Sequence, residues 1–207
     1  MVFYRDRVYP LLVSKFGDPT PIRTLRQRIV PLARGKVLEI GVGAGANFPH
    51  YNPAIVSRLF ALEPNQQMIR LASRQKHASA LNVEFLDLPG ERIPMEDQSI
   101  DTVVSTFTLC TIPGISEAIQ GIRRVLKSDG QLILLELSLS PHTDVTRWQR
   151  RWEPIHHRLF EGLYLTRDMA SLLTDGGFGI QQIECGYVTP FPKSWAYCCW
   201  GTAVPRK

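Results

Sequence analysis

Residues 37–47 read VLEIGVGAGAN, a short apolar run that ends in a carboxylate and opens into glycines at alternate positions. The apolar run predicts a buried strand of a parallel sheet. Glycines let the backbone turn sharply after that strand, and they leave no Cβ to block a ligand. The spacing differs from the Gly-x-Gly-x-x-Gly loop that seats a pyrophosphate. With Glu39 ahead of it, the loop suits a ligand that carries a positively charged amino acid end.

A second apolar run, residues 59–64, reads LFALEP and also ends in an acid. Glu63 follows Glu39 by 24 residues, which leaves room for one helix and a return strand. An acid about 20 residues beyond a glycine loop is placed to bind ribose hydroxyls. We therefore predict a βαβ unit with both acids at one sheet edge, rather than a tight turn that binds nothing.

Apolar runs and helical periodicity alternate along residues 21–137. Five strands are predicted at 36–41, 58–63, 82–86, 101–107 and 131–137, and helices at 21–33, 65–77 and 114–127. A further helix after Asn47 is shortened by Pro49 and Pro53. This alternation predicts an α/β fold with a doubly wound, mostly parallel sheet. Ligands bind such sheets at the carboxyl ends of the strands, where both acids, loop 86–90 and segment 105–110 would converge.

The segments before and after these alternating strands and helices show different sequence patterns. We expect residues 1–35 to form an N-terminal helical cap, with a first helix over 3–16. Residues 141–165 are aromatic and basic and predict a helical insert after strand five. Strands near 180–187 and 195–203 complete the chain, and they are too far apart for a tight hairpin. A single domain over 1–207 is the simplest organisation for this length.

Composition narrows the class of protein. The net charge is +5 and the pI about 9.2, but the arginines are scattered and no aromatic-basic run of the kind that stacks bases is present. We therefore expect no nucleic acid partner, and leave peripheral membrane contact open. The four cysteines lack metal-ligand spacing, so we predict no metal and buried free thiols. The absence of a signal-like or spanning segment favours a cytoplasmic location.

The motifs together resemble those of the class I S-adenosylmethionine-dependent methyltransferases. The resemblance begins at residues 37–47 and Glu63, and extends to 100–106 (IDTVVST), 109–113 (LCTIP) and 123–130 (RRVLKSDG). Segment 109–110 and the later 162–167 (GLYLTR) are similar to a narrower group that contains thiol S-methyltransferases. Quinone and phospholipid methyltransferases are related more broadly. The resemblance implies a Rossmann-like, seven-stranded sheet with an antiparallel last strand and S-adenosylmethionine as methyl donor.

The resemblance also implies a set of donor-binding residues. Glu39 would face the donor's amino acid end, Glu63 would hold the ribose and Met68 would lie near the adenine. Pro89 stands where relatives often carry an acid or amide for the adenine amino group, so Asp87 or the Leu88 backbone is expected there instead. The other residues predicted to bind the donor are Gly41, Gly43, Gly45, Asn47, Pro64 and Thr106.

The acceptor side is less determined by the sequence. His156 and His157 are candidate general bases because histidine titrates near pH 7, although one ring of such a pair often packs inward. The aromatic residues Tyr4, Tyr9, Trp148 and Trp152 are predicted to wall an apolar acceptor pocket. A small thiol or sulfide is the first choice of acceptor, since thiolate is a strong nucleophile. The alternatives are a quinone or phospholipid, or a non-catalytic module that binds the donor.

Overall fold

The computed structural model describes residues 18–76, 79–160, 162–188 and 191–206. Its seven strands are β1 (Gly35–Ile40), β2 (Val56–Leu62), β3 (Val83–Leu86), β4 (Ile100–Thr106), β5 (Leu126–Leu137), β6 (Phe178–Tyr187) and β7 (Tyr197–Pro205). They form one sheet in the order β3-β2-β1-β4-β5-β7-β6. Only β7 runs antiparallel, between β5 and β6. The predicted fold class is confirmed.

The described residues include six α-helices, of which the first precedes the sheet and the others connect its strands. They are α1 (Thr20–Ile29), α2 (Gln66–Lys76), α3 (Ile115–Val125), α4 (Thr143–Leu159), α5 (Met169–Asp175) and α6 (Lys193–Ala196). Short 3-10 helices cover Val30–Leu32 and Phe48–His50. None of the helices that the structure describes is both long enough and apolar enough to cross a membrane.

The sheet is buried on both faces because its strands are apolar at successive positions. Leu38 and Ile40 of β1 point to one face, where they join a core that includes Ile119 and Ile122 of α3. Val37 points to the opposite face and packs in a second core with α1 and α2. This two-sided burial fixes the strand ends in one plane, and so positions the loops that follow β1, β2 and β4 along one edge.

Four predicted elements differ from the structure in their extent or position. The helix expected after Asn47 is only the 3-10 turn Phe48–His50, because prolines interrupt it. Strand β5 begins at Leu126 rather than 131, since Leu126 pairs with Ile100 before a register irregularity. Strand β6 begins two residues earlier than predicted, β7 is shifted by two residues toward the C-terminus, and the two pair antiparallel. The first predicted helix, 3–16, lies outside the described residues.

The prediction that all four cysteines are free thiols is wrong. Cys185 on β6 lies opposite Cys199 on β7, and a disulfide joins them. Cys110 and Cys198 are buried free thiols, as expected. Adjacent Cys198 and Cys199 differ because neighbouring residues of a strand point to opposite faces, so that only Cys199 reaches β6's cysteine.

Candidate functional site

The glycine loop follows β1 and has a left-handed backbone at three positions. The φ angles are +68° at Gly41, +55° at Gly43 and +84° at Gly45, a region that side chains disfavour. A Cβ on Gly41 would lie 2.2 Å from Thr108 Oγ1, so the loop is packed closely on the segment after β4. A Cβ on Gly43 would meet no atom within 4 Å. The space above Gly43 is therefore open to a ligand.

Glu63 ties this loop to the end of β2. Its carboxylate accepts hydrogen bonds from the backbone N–H of Gly43 at 3.0 Å and of Asn65 at 2.9 Å. The side chain is largely buried but lies on the wall of the cavity above the loop. A carboxylate oxygen can accept more than one hydrogen bond, so the same side chain can fix the loop and border the cavity.

Glu39 lies beneath the loop and is only 1% exposed. Its two oxygens accept hydrogen bonds from Asn47 Nδ2 at 2.9 Å and from the Tyr51 hydroxyl at 2.8 Å. Burial raises the pKa of Glu39 to about 7, against the opposing effect of those two hydrogen bonds and of Arg26. The side chain does not line the cavity, so it positions the loop from below.

Arg26 of α1 is a site residue that the motifs did not identify. The residue is only 6% exposed and lies on the cavity wall. Its Nη1 donates to Asn47 Oδ1 at 2.6 Å and to Thr106 Oγ1 at 2.7 Å, and its Nε donates to Asp18 Oδ1 at 3.1 Å. Burial lowers its pKa, while attraction to Asp18 and Glu39 opposes that shift.

The sequence carried one signal for Arg26. Ile22, Arg26 and Ile29 share the buried face of α1 at spacings of four and three, so the arginine occupies an apolar position of the helical pattern. A buried charge needs partners, and Arg26 finds them in side chains far along the chain. Such a pattern can indicate that an arginine is buried but not what it binds.

A cavity of about 1710 Å³ opens above the loop. The predicted site residues that line it are Gly41, Gly43, Gly45, Glu63, Pro64, Met68, Thr106 and His157. Those that do not line it are Glu39, Asn47, Asp87, Leu88, His156, Trp148 and Trp152. Tyr4 and Tyr9 lie outside the described residues. Pro89 and Glu91, which flank the expected adenine position, also line the cavity.

The two histidines of α4 have different surroundings. His156 is buried, with its ring 4.6 Å from that of Trp195 and 5.6 Å from that of Phe160. Its Nδ1 lies 2.9 Å from the Trp152 carbonyl oxygen. His157 lies on the cavity wall, edge-on to Tyr164 at 4.8 Å. Of the two candidate bases, only His157 faces the space above the loop.

Glu136 of β5 is a second residue that the motifs missed. Its buried carboxylate accepts from the Ser105 hydroxyl and from the backbone N–H groups of Thr108, Leu109 and Cys110, at 2.7–3.1 Å. Burial raises its pKa, against these hydrogen bonds. The carboxylate thereby fixes the turn after β4, where Phe107 and Thr108 line the cavity. Its signal in the sequence is one acid inside the apolar run of residues 132–137.

Comparisons with known proteins agree on the family. A family model described as a methyltransferase domain matches residues 38–134. The thiol S-methyltransferase TMT1B of Homo sapiens is 33% identical over 169 residues, which are 79% of this chain and 67% of that protein. The chain belongs to the class I S-adenosylmethionine-dependent methyltransferases. S-adenosylmethionine is accordingly its methyl donor.

Other relatives of this methyltransferase are named either thiol S-methyltransferases or quinone C-methyltransferases. The thiol S-methyltransferase TMT1A of Homo sapiens is 30% identical over 80% of the chain and 67% of that protein. The ubiquinone/menaquinone biosynthesis C-methyltransferase UbiE of Bartonella tribocorum is 31% identical, but over 52% of the chain and 43% of that protein. The chain thus spans about two thirds of the length of the thiol methyltransferases and less than half of the length of UbiE.

Solved structures support the fold alone. A methyltransferase from Methanosarcina mazei superposes with a TM-score of 0.66 at 21% identity, over 84% of this chain and 93% of that one. Another from Aquifex aeolicus gives 0.64 at 19% identity, over 95% and 98%. The observed site fits the donor that this fold family uses: an open backbone cradle at Gly43 lies next to the Glu63 carboxylate.

Proposed function

We propose that this methyltransferase transfers the methyl group of S-adenosylmethionine to the sulfur of a small thiol. The observation that carries the choice of sulfur is the extended similarity to proteins named thiol S-methyltransferases, which covers about four fifths of the chain. The cavity supports it, because much of its wall beyond the glycine loop is apolar. That wall includes Phe107, Ile112, Leu137, Phe160 and Leu163. Such a wall suits an apolar acceptor with one reactive atom.

The proposed donor site uses the residues around the open cradle. Gly41, Gly43 and Gly45 would lie under the amino acid end of the donor, and Glu63 would accept hydrogen bonds from ribose hydroxyls. Pro64 and Met68 would lie along the nucleoside. For the adenine amino group, Asp87 and the Leu88 backbone remain candidates, although neither borders the cavity.

Glu39, Asn47 and Thr106 would contribute to donor binding mainly by holding other groups of the site in position. Asn47 donates to both Glu39 and Thr106 and accepts from Arg26, so the four side chains form one buried network under the loop. Arg26 and Thr106 reach the cavity wall from this network. Arg26 would place a positive charge where the donor's carboxylate lies, and Glu39 would balance that charge from below.

The donor supplies a methyl group already activated on a sulfonium, so the chain's residues mainly position the acceptor. A thiol ionises near neutrality and needs less help from a base than a hydroxyl. His157 faces the cavity and would take or hold the acceptor's proton at a ring nitrogen. His156 has no part in this proposal, because its ring is enclosed by Trp195 and Phe160. Trp148 and Trp152 likewise point away from the cavity.

Transfer from isotopically labelled donor to a panel of acceptors tests the proposal. We expect label in an aliphatic and an aromatic thiol, and little in matched phenols and amines. His157→Gln should lower the rate most near neutral pH, where much of the acceptor is still the protonated thiol and a neutral imidazole can take its proton, and least at alkaline pH, where the thiolate is already present. His142→Gln, at a histidine outside the cavity that stacks on Tyr187, serves as the matched control. Label in amines or phenols but in no thiol would contradict the choice of sulfur.

The similarity to UbiE supports a second candidate, methylation of a quinone-type carbon. A quinol analogue in the same panel separates the two, since carbon methylation survives thiol-blocking reagents. A donor-binding module without catalysis is the third candidate. Tight donor binding in calorimetry, with no label in any acceptor, would favour that module over both enzymes.

A further inference from the structure

Helix α4 exposes a row of large apolar side chains. Trp148, Trp152 and Ile155 follow at spacings of four and three, so they lie on one face, and they are 54%, 40% and 46% exposed. The row continues to Leu159 at the cavity rim. With Trp195 of α6, these residues are five of the eight exposed large apolar side chains in the described residues. Such clustering marks an interaction site.

Buried polar contacts on the other side of α4 fix this orientation. Gln149 donates to the Ser138 carbonyl at 3.0 Å and accepts from the Ser140 N–H at 2.9 Å. Glu153 accepts from the backbone N–H of Leu165 at 2.7 Å and of Thr166 at 2.8 Å. Rotating the helix to bury the tryptophans would leave these groups unpaired, which is costly. The apolar row therefore faces outward as part of the stable fold.

The exposed charges of α4 are mostly positive. Arg147, Arg150, Arg151 and Arg158 are all exposed, whereas Asp144 in the first turn is its one exposed acid in the part of the helix that is described. Arg147, Arg151 and Arg158 follow at spacings of four and seven, so they line one flank of the apolar row. The whole chain is also basic, with a net charge of +5.

We propose that this face of α4 docks on an anionic membrane surface. Tryptophan favours the headgroup level of a bilayer, and arginines beside it attract anionic lipids. A helix with aromatic residues on one face and arginines next to them lies in the plane of the interface rather than across it. Charge complementarity selects an anionic lipid surface over a neutral one. This docking does not depend on the proposed chemistry.

Docking would also bring the cavity to the lipid. The last turn of α4 carries His157, Arg158 and Leu159, and all three line the cavity. The face that meets the membrane is thus continuous with the rim of the acceptor chamber. An apolar acceptor dissolved in the bilayer would then reach the chamber without crossing bulk water.

Co-sedimentation of the full chain with vesicles tests the docking. We expect binding to vesicles that contain phosphatidylcholine and phosphatidylglycerol, weaker binding to phosphatidylcholine alone, and release by high salt. Arg147→Gln with Arg151→Gln should weaken binding about 30-fold, since each basic residue near an anionic surface contributes about 1 kcal/mol. Trp148→Ser with Trp152→Ser should weaken it at least about tenfold.

A control variant and a second readout separate docking through α4 from a general loss of exposed apolar surface. Ile55→Ser with Ile180→Ser removes two exposed apolar residues elsewhere and should leave binding unchanged. Brominated lipids should quench the fluorescence of the wild type more than that of the double tryptophan variant. Wild type that stays in the supernatant, or a control variant that loses binding equally, would overturn the proposal. A stable dimer that only the tryptophan variant dissociates would assign the face to a second copy instead.

Discussion

Replacing Gly43 with Ala separates ligand binding from folding. Gly43 has φ +55°, and a left-handed backbone costs a residue with a Cβ about 1–2 kcal/mol of stability. The new methyl would meet no protein atom within 4 Å, so no steric penalty adds to that cost in the free protein. The methyl would instead stand in the open cradle. Forcing an extra methyl into a packed contact costs about 1–3 kcal/mol, which corresponds to donor affinity weakened roughly 5–150-fold.

Gly177→Ala is the matched control for this change. Gly177 has φ +84°, and its nearest neighbours are side-chain atoms of Arg123, a flexible residue that can move. It does not line the cavity, so the variant should lose comparable stability but keep its donor affinity. Titration calorimetry with S-adenosylmethionine and urea unfolding give the two quantities for each variant. Equal donor affinities for the Gly43 variant and the wild type would refute the placement of the donor over this loop.

Three further predictions concern Glu63, Glu39 and the disulfide. Glu63→Gln should weaken donor binding by about 1–3 kcal/mol, because a neutral amide is a poorer partner for ribose hydroxyls; calorimetry showing no change would remove Glu63 from the donor site. The pKa of Glu39 is raised from 4.5 to about 7, so the folded state holds the extra proton. Its contribution to stability is full below pH 4.5 and is lost as the pH rises to 7, by about 3 kcal/mol in total. The Glu39→Gln variant should not show that loss of stability with rising pH. Free energies of unfolding in urea that fall equally with pH in the variant and the wild type would contradict this prediction. Reducing the disulfide between Cys185 and Cys199, which are 14 residues apart, should lower the free energy of unfolding by about 3 kcal/mol, whereas Cys185→Ser should be insensitive to dithiothreitol. A thiol titration that finds all four cysteines free in the untreated protein would contradict the pairing.

The central unit of the fold was predictable because its signals are local. Residues 37–47 hold a buried strand, its terminal acid and the glycines of the turn within a single window. Glu63 repeats the pattern at the end of the next strand, and parallel pairing then brings both acids to the same edge. Short-range patterns of this kind predict the observed structure because few contacts between residues far apart in sequence compete with them.

Contacts between side chains that lie far apart in the sequence were not predictable. Arg26 meets Asn47 and Thr106, which lie 21 and 80 residues further along the chain. The disulfide likewise depends on the register between β6 and β7, which a proline-containing connection does not fix. Burial of a polar residue can be inferred from periodicity, but its partner depends on the packing of the whole sheet.

The aromatic insert was predicted as an element but not in its orientation. The aromatic and basic composition of residues 141–165 predicted a helical insert, and its tryptophans were expected in the acceptor pocket. The structure turns Trp148 and Trp152 outward, because Gln149 and His156 are buried against the rest of the protein. Two polar residues thus take the inward face. A rule that places aromatic residues inside fails when buried hydrogen bonds decide how a helix docks.

A crystal structure of the chain with S-adenosylhomocysteine tests the central claim most directly. We expect the ribose hydroxyls within hydrogen-bond distance of Glu63 and the amino acid end over Gly43. The thioether sulfur should face the chamber bordered by Phe160 and His157. A nucleoside bound elsewhere, or a Glu63 carboxylate turned away from the ribose, would contradict the account.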